Sequence, residues 1–285
     1  VRHPLRTSCD VDAGAAANDA GCEPLSCLAH CGDHIPAPGQ PYNFVLTNCE
    51  HPEVDAGDAS VICNYLSPPC GRRPEGIALE PTSRGTAGEW LAASAFLEEA
   101  SIAAFARLAC ELKAHGAPHD LRRRAREAAK DEVRHARTMR SLALDAGCAP
   151  ARPPRSHTEV RDLVRIAVEN AVEGCIRETF GALLATWQAA VVVDGELKKA
   201  MTEIARDEAA HAALAWDVHA WLGGRLTAEE RADVDGAARE AIVALETELS
   251  VEPPAALVRD VGLPDAARAH LLMRMLFHGT ERALD

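Results

Sequence analysis

Two short frames decide the fold: Asp131-Glu132-Val133-Arg134-His135 and Asp207-Glu208-Ala209-Ala210-His211. Each contains Glu-x-x-His. On an α-helix, positions i and i+3 leave one face about 60° apart, so each frame can offer a carboxylate and an imidazole to one metal ion. Glu98 stands 34 residues before Glu132, and Glu173 stands 35 before Glu208. Phe105 follows Glu98 by seven residues and Phe180 follows Glu173 by seven. This shared register selects Glu98 over Glu99, and Glu173 over Glu169 and Glu178. A helical unit of about 75 residues, present twice, would bring four carboxylates and two imidazoles together around a pseudo-two-fold axis.

A lone Glu-x-x-His is ordinarily a surface charge pair on an amphipathic helix. Two such frames, each with a partner Glu at matched distance and apolar neighbours, point instead to a shared site. Burying those charges unpaired would cost far more than any contact returns. Two divalent cations balance four carboxylates and leave both histidines bound as neutral imidazole. Oxygen-rich ligation with one His per metal suits two iron ions, with manganese or a mixed Fe/Mn pair also fitting, better than structural zinc. The expected metal ligands are therefore Glu98, Glu132, His135, Glu173, Glu208 and His211.

Working outward, the 3.6-residue period predicts helices over residues 86–115, 120–146, 158–193 and about 195–222, the last pair separated at Gly195. Their inward stripes run through Leu91, Ala95, Glu98, Ile102 and Phe105; Ala125, Ala128, Glu132, His135 and Met139; Ile166, Glu173, Ile176 and Phe180; and Ile204, Glu208, His211 and Ala215. The proline-rich loop 147–157 is long enough to run the length of a 27-residue helix, roughly 40 Å, before the third helix begins. Thr227-x-x-Glu230 reads as a capping box opening a fifth helix to about Leu249, and a sixth follows Pro264. The expected class is all-α: a four-helix bundle over 86–223 with accessory helices in 227–285, residues 84–285 forming one domain.

Residues 1–83 differ in kind. Seven of the ten cysteines fall there (Cys9, Cys22, Cys27, Cys31, Cys49, Cys63 and Cys70), among Pro, Gly, Asp and Asn. That density reads as a loop-rich disulfide module made in an oxidising compartment, and because seven is odd, Cys148 is the expected eighth partner. An extracytoplasmic location, secreted or periplasmic, follows as an expectation. The chain opens at Val1 with no initiator Met, as a cleaved signal sequence or an otherwise trimmed start leaves it. No apolar run is long enough to span a bilayer. A formal net charge of −13 argues against binding nucleic acid, and the basic run Arg122-Arg123-Arg124-Ala125-Arg126, flanked by Asp120 and Glu127, reads as a solvated helix face.

These residues resemble the ferritin-like superfamily of di-iron carboxylate proteins, in which the first and third helices each give a Glu and the second and fourth each give Glu-x-x-His. The resemblance covers about residues 86–223. Within it, Glu98-Glu99-Ala100-Ser101-Ile102-Ala103-Ala104-Phe105 and Glu173-Gly174-Cys175-Ile176-Arg177-Glu178-Thr179-Phe180 look like bacterial ferritin-like domains, and the second also looks like a di-iron hydroxylase acting on tRNA. The resemblance implies that Glu132 and Glu173 or Glu208 bridge the metals. It also implies that Asp131 and Asp207 hydrogen-bond the far nitrogens of the ligand histidines. Departures narrow what it implies. Both tyrosines lie outside the bundle, Phe105 stands where ferritins often have Tyr, and the bundle holds no Cys-x-x-Cys iron site. Radical generation, iron storage and rubrerythrin-like peroxide reduction are all weakened.

The expected function is an O2-activating dimetal oxidase or oxygenase whose substrate, beside O2, is a small molecule or peptide. No catalytic group separate from the metal ligands is assigned. A ferroxidase or metal-sequestering protein without organic substrate, and an extracytoplasmic interaction protein with a structural metal, are the alternatives.

Overall fold

The helices expected over 86–115, 120–146 and 195–222 form to within a residue of those bounds. The computed structural model describes residues 2–4, 45–50, 60–66, 72–73, 85–154 and 160–277. Helix α1 (Ala87–Ala114) opens on a capping box in which the Glu89 N–H donates to Thr86 Oγ1 while the Thr86 N–H donates to Glu89 Oε2. It ends at Gly116, whose φ of +72° only glycine adopts cheaply. Helix α2 (His119–Asp145) follows Pro118 and closes on Gly147, φ +78°.

The third helix, α3, spans residues 163–191 in three continuous parts: Leu163–Glu169, a π-helical stretch Asn170–Glu178, and Thr179–Val191. It begins later than the period predicts because Asp162 is its cap, accepting from the Arg165 N–H at 2.8 Å. The break before α4 (Gly195–Gly223) falls at 192–194 rather than at Gly195, since Asp194 caps α4 by accepting from the Leu197 N–H. Helix α5 (Ala228–Leu249) opens on the expected Thr227/Glu230 capping box. The short α6 (Ala255–Asp260), which the sequence reading does not anticipate, and α7 (Ala266–Phe277) complete the helical part.

Helix α1 lies along α2, α4 lies along α3 and touches α2, and α5 covers the π-helical stretch from outside. The 2.7 Å contact of His115 Nε2 with the Arg161 carbonyl puts the start of α3 beside the end of α1. A Cβ on Gly88 would meet Cys148 Sγ, so the end of α2 lies beside the start of α1. Residues 148 and 161 therefore lie beside opposite ends of α1.

Two large apolar regions dominate the described interior, beside a small one of Phe96, Leu97 and Ala100. Trp90, Leu91, Met139, Met201 and Leu257 pack in one, and Phe105, Leu108, Leu121, Ile166, Ile176 and Leu214 in the other. Along α1, α2 and α4 the change from one region to the other comes at Glu98, at Glu132 and His135, and at Glu208 and His211. No described helix is long and apolar enough to cross a membrane.

Backbone traces of β1 (Arg2–Pro4), β2 (Val45–Glu50) and β3 (Ser60–Leu66) form an antiparallel sheet with β3 central, where loops alone were expected. Cys49 stands opposite Cys63 in that register. Of the other disulfide candidates, Cys9, Cys22, Cys27, Cys31 and Cys70 lie outside the described residues. Cys148 carries a free thiol, as does Cys110, which is exposed.

Candidate metal centre

The two frames sit on α2 and α4, where their apolar neighbours turn Glu132, His135, Glu208 and His211 into the interior. Glu98 joins them from α1. One ligand atom from each of Glu98, Glu132, His135 and Glu208 lies within 4.8 Å of all the others. His135 Nδ1 is 3.4 Å from Glu98 Oε2, 3.8 Å from Glu132 Oε2 and 3.6 Å from Glu208 Oε1. His211 Nδ1 is 3.1 Å from Glu132 Oε1 and 3.6 Å from Glu208 Oε1. Glu132 thus turns one oxygen toward each histidine, and Glu208 Oε1 is equidistant from both. The imidazole centroids are 6.1 Å apart. This buried carboxylate–imidazole cluster can hold a metal ion.

Glu173 is turned away from the cluster, and the buried carboxylate beside it is Glu178. The Glu173 carboxylate is partly exposed, accepts from the Arg73 backbone N–H at 3.4 Å and has Arg177 Nε at 3.8 Å. Glu178 is 0% exposed, neither of its oxygens has a hydrogen-bond partner among the described residues, and the charges of Glu208, His211 and Glu132 act on it. The cause is the π-helical stretch. Asn170, Gly174 and Glu178 of this stretch are buried while Glu173 is half-buried and turned to Arg73, and the i→i+5 winding shifts Glu173 out of register with Phe180. The register match of Phe105 with Phe180 assumes an unbroken 3.6-residue period, which this segment lacks.

Outside the cluster the two halves cross. Asp207 Oδ2 lies 3.2 Å from His135 Nε2, and Asp131 Oδ2 lies 3.4 Å from His211 Nε2, so each frame's Asp orients the other frame's His. With the far nitrogen so engaged, Nδ1 of each ring is left toward the carboxylates. Arg134, inside the first frame but passed over in the sequence reading, contacts both aspartates, Asp131 at 2.6 Å and Asp207 at 2.9 Å.

Burial raises the Glu98 carboxyl well above its ordinary range, and the Glu132 charge adds to this. Glu178 is raised too, chiefly by burial, with Arg72 opposing. Burial works against a charged His135, yet the Glu132 and Glu98 carboxylates overcome it and push the imidazole up to about 11. His211 is likewise raised well above normal against its burial, first by the Glu208 charge. Glu132 is held low because both histidines outweigh its burial. The ion-free cluster therefore balances its charge with protons that a metal would displace. Burial pushes the Cys175 thiol up to about 12, so it is no thiolate at neutral pH.

A second buried polar network adjoins the centre and was not legible beforehand. Arg161 grips Glu111 through Nε at 2.8 Å and Nη2 at 2.9 Å, and Glu169 accepts from Arg107 and Arg161. Arg177 grips Glu248 of α5 at 2.6 and 3.0 Å. Arg72 and Arg73 reach this region from the N-terminal side, both buried. The basic run on α2 is a solvated face, with Arg123 paired to Asp120 and Glu127.

No family model matches the chain, no curated protein matches it in sequence, and no solved structure matches it. Its chemistry is read from the geometry alone.

Proposed function

We propose that this protein is a dimetal, most simply di-iron, oxidase or oxygenase built on a ferritin-like four-helix bundle. One observation carries the reading: nine buried ligand atoms of Glu98, Glu132, His135, Glu178, Glu208 and His211 make no well-formed hydrogen bond among the described residues. Leaving them so would cost about 1–3 kcal/mol each, more for charged groups. Metal ions satisfy all of them at once. Glu98 with His135 would hold one ion and Glu178 with His211 the other, with Glu132 and Glu208 between, a set of four carboxylates that neutralises two divalent cations.

The metal pair would supply the binding and reductive activation of O2. The chain's own residues prepare that chemistry. Asp131 and Asp207 fix the histidine tautomers, and Arg134 ties the two aspartates together. Phe105, its ring 4.9 Å from His211, and the apolar regions on either side keep bulk water out. The Glu178 carboxylate, which makes no hydrogen bond among the described residues, would be free to turn toward a metal as a ligand.

Anaerobic loading with Fe(II), followed by elemental analysis and then O2 consumption, tests the proposal. About two iron per chain and rapid O2 uptake are expected from six preorganised ligands. Less than about half a metal per chain overturns it.

A further inference from the structure

Arg72 is delivered to the centre from outside the helices. It is 1% exposed, its Nη1 donates to Asn170 Oδ1 at 3.2 Å, and its guanidinium lies over the Phe105 ring, 5.8 Å from the centroid. Phe105 in turn packs on His211. Asn170 is held by its own bond to the Ala215 carbonyl at 2.9 Å, so Arg72 has a fixed anchor. Gly174 makes room, since a Cβ there would come within 2.9 Å of Arg72 Nη1. Asn170, Gly174 and Glu178 are all buried on the π-helical stretch, and the Arg72 charge acts on Glu178.

Two donors of this anchored guanidinium, Nε and Nη2, are buried and have no hydrogen-bond partner among the described residues. They form one edge of the group, the fork that takes a carboxylate with two parallel bonds. The same edge is filled in that way elsewhere in this molecule, where Arg161 holds Glu111. Among the described residues the nearest carboxylate oxygen to the Arg72 fork, Glu169 Oε1, stands 3.8 Å from Nε, beyond hydrogen-bond reach, and Glu169 already accepts from Arg107 and Arg161. Glu178 shares the compartment, but as a metal ligand it is committed elsewhere. A buried guanidinium with an empty fork beside such a centre calls for an anion of matching shape.

We propose that the Nε/Nη2 edge of Arg72 is the recognition site for a small carboxylate, which makes the substrate of the centre a carboxylic acid bound as its anion. This rests on the dimetal reading above and deepens it. The carboxylate is gripped and not consumed; it orients the rest of the molecule toward the metals. Asn170 is the positioning residue, holding the guanidinium through Nη1 and leaving the other edge open.

Acetate serves as probe and acetamide, similar in shape but neutral, as its control. The protein is loaded with Co(II), its metal content is measured, and paramagnetic broadening of the probe's methyl proton resonance is titrated. Saturable broadening of acetate but not acetamide is expected. Arg72→Gln should weaken acetate binding about tenfold to a hundredfold, the worth of a charge-assisted pair of bonds. Arg72→Lys, which keeps the charge and loses the fork, should also weaken it. Two metals bound with no saturable acetate effect, equal broadening by acetamide, or an affinity unchanged in Arg72→Gln and Arg72→Lys each overturn the inference and leave the dimetal centre standing. The unchanged affinity is also the result if Glu178 fills the fork. Failure of the wild-type protein to take up Co(II) overturns the dimetal reading itself. Should Arg72→Gln not fold, Arg72→Lys and the acetate–acetamide contrast decide the matter.

Discussion

Glu178 and Glu173 are five residues apart on one helix, and their surroundings assign them opposite roles. Glu178 has no hydrogen-bond partner for either oxygen among the described residues and feels the charges of Glu208, His211 and Arg72, whereas Glu173 leans outward to the Arg73 backbone and Arg177. Replacing Glu178 by Ala should lower iron content to about one per chain, or weaken the second site so that brief dialysis removes it, because a carboxylate ligand is lost. Glu173→Ala should keep both metals, as inductively coupled plasma analysis of the two variants side by side would show. Equal metal loss in both would return the ligand role to Glu173. Asp207→Asn removes no ligand but leaves His135 Nε2 facing an amide in place of a carboxylate, and metal affinity should fall about 10- to 100-fold by chelator competition.

Elements differ in how far they can be read from sequence. Capping residues speak locally, so Thr86/Glu89 and Thr227/Glu230 mark their helix starts to the residue. The Glu-x-x-His frames were legible because α2 and α4 keep the 3.6-residue period that the reading assumes. The third helix breaks it, and no local signal announces a π-helical stretch. That choice of backbone is settled by packing against α4 and α5 and by the arrival of Arg72 and Arg73 from about a hundred residues away. Gly174 is the one residue in the segment whose identity betrays the crowding. A Cβ there would stand 2.7 Å from the Ala215 Cβ and 2.9 Å from Arg72 Nη1. Gly174→Ala should therefore destabilise the protein by about 1–3 kcal/mol in urea titration, the cost of overpacking, although alanine is the better helix former. A variant as stable as the parent would mean that α3 and α4 can separate freely at this point.

At the scale of the whole molecule, the proposed centre should tie stability to pH in opposite directions with and without metal. His135 has its folded pKa raised to about 11 from an ordinary 6.5. A proton that the native state holds more tightly than the unfolded chain stabilises it fully below the unfolded pKa, and that stabilisation is lost as pH climbs toward the folded one. His211 is shifted in the same direction, and the raised carboxyls of Glu98 and Glu178 likewise bind their protons more tightly in the folded protein, so they act with the same sign above pH 4.5. Metal-free protein should thus melt at progressively lower temperature between pH 6.5 and 9. When iron or cobalt replaces those protons, the relation inverts, since the ligands bind metal only after deprotonation and rising pH then favours the loaded state. Differential scanning calorimetry at pH 6.5, 7.5 and 8.5, with chelator and with saturating Co(II), would display the two trends. Parallel slopes in both conditions would mean that metal does not displace these protons, and that the partnerless atoms of the cluster are satisfied in some other way.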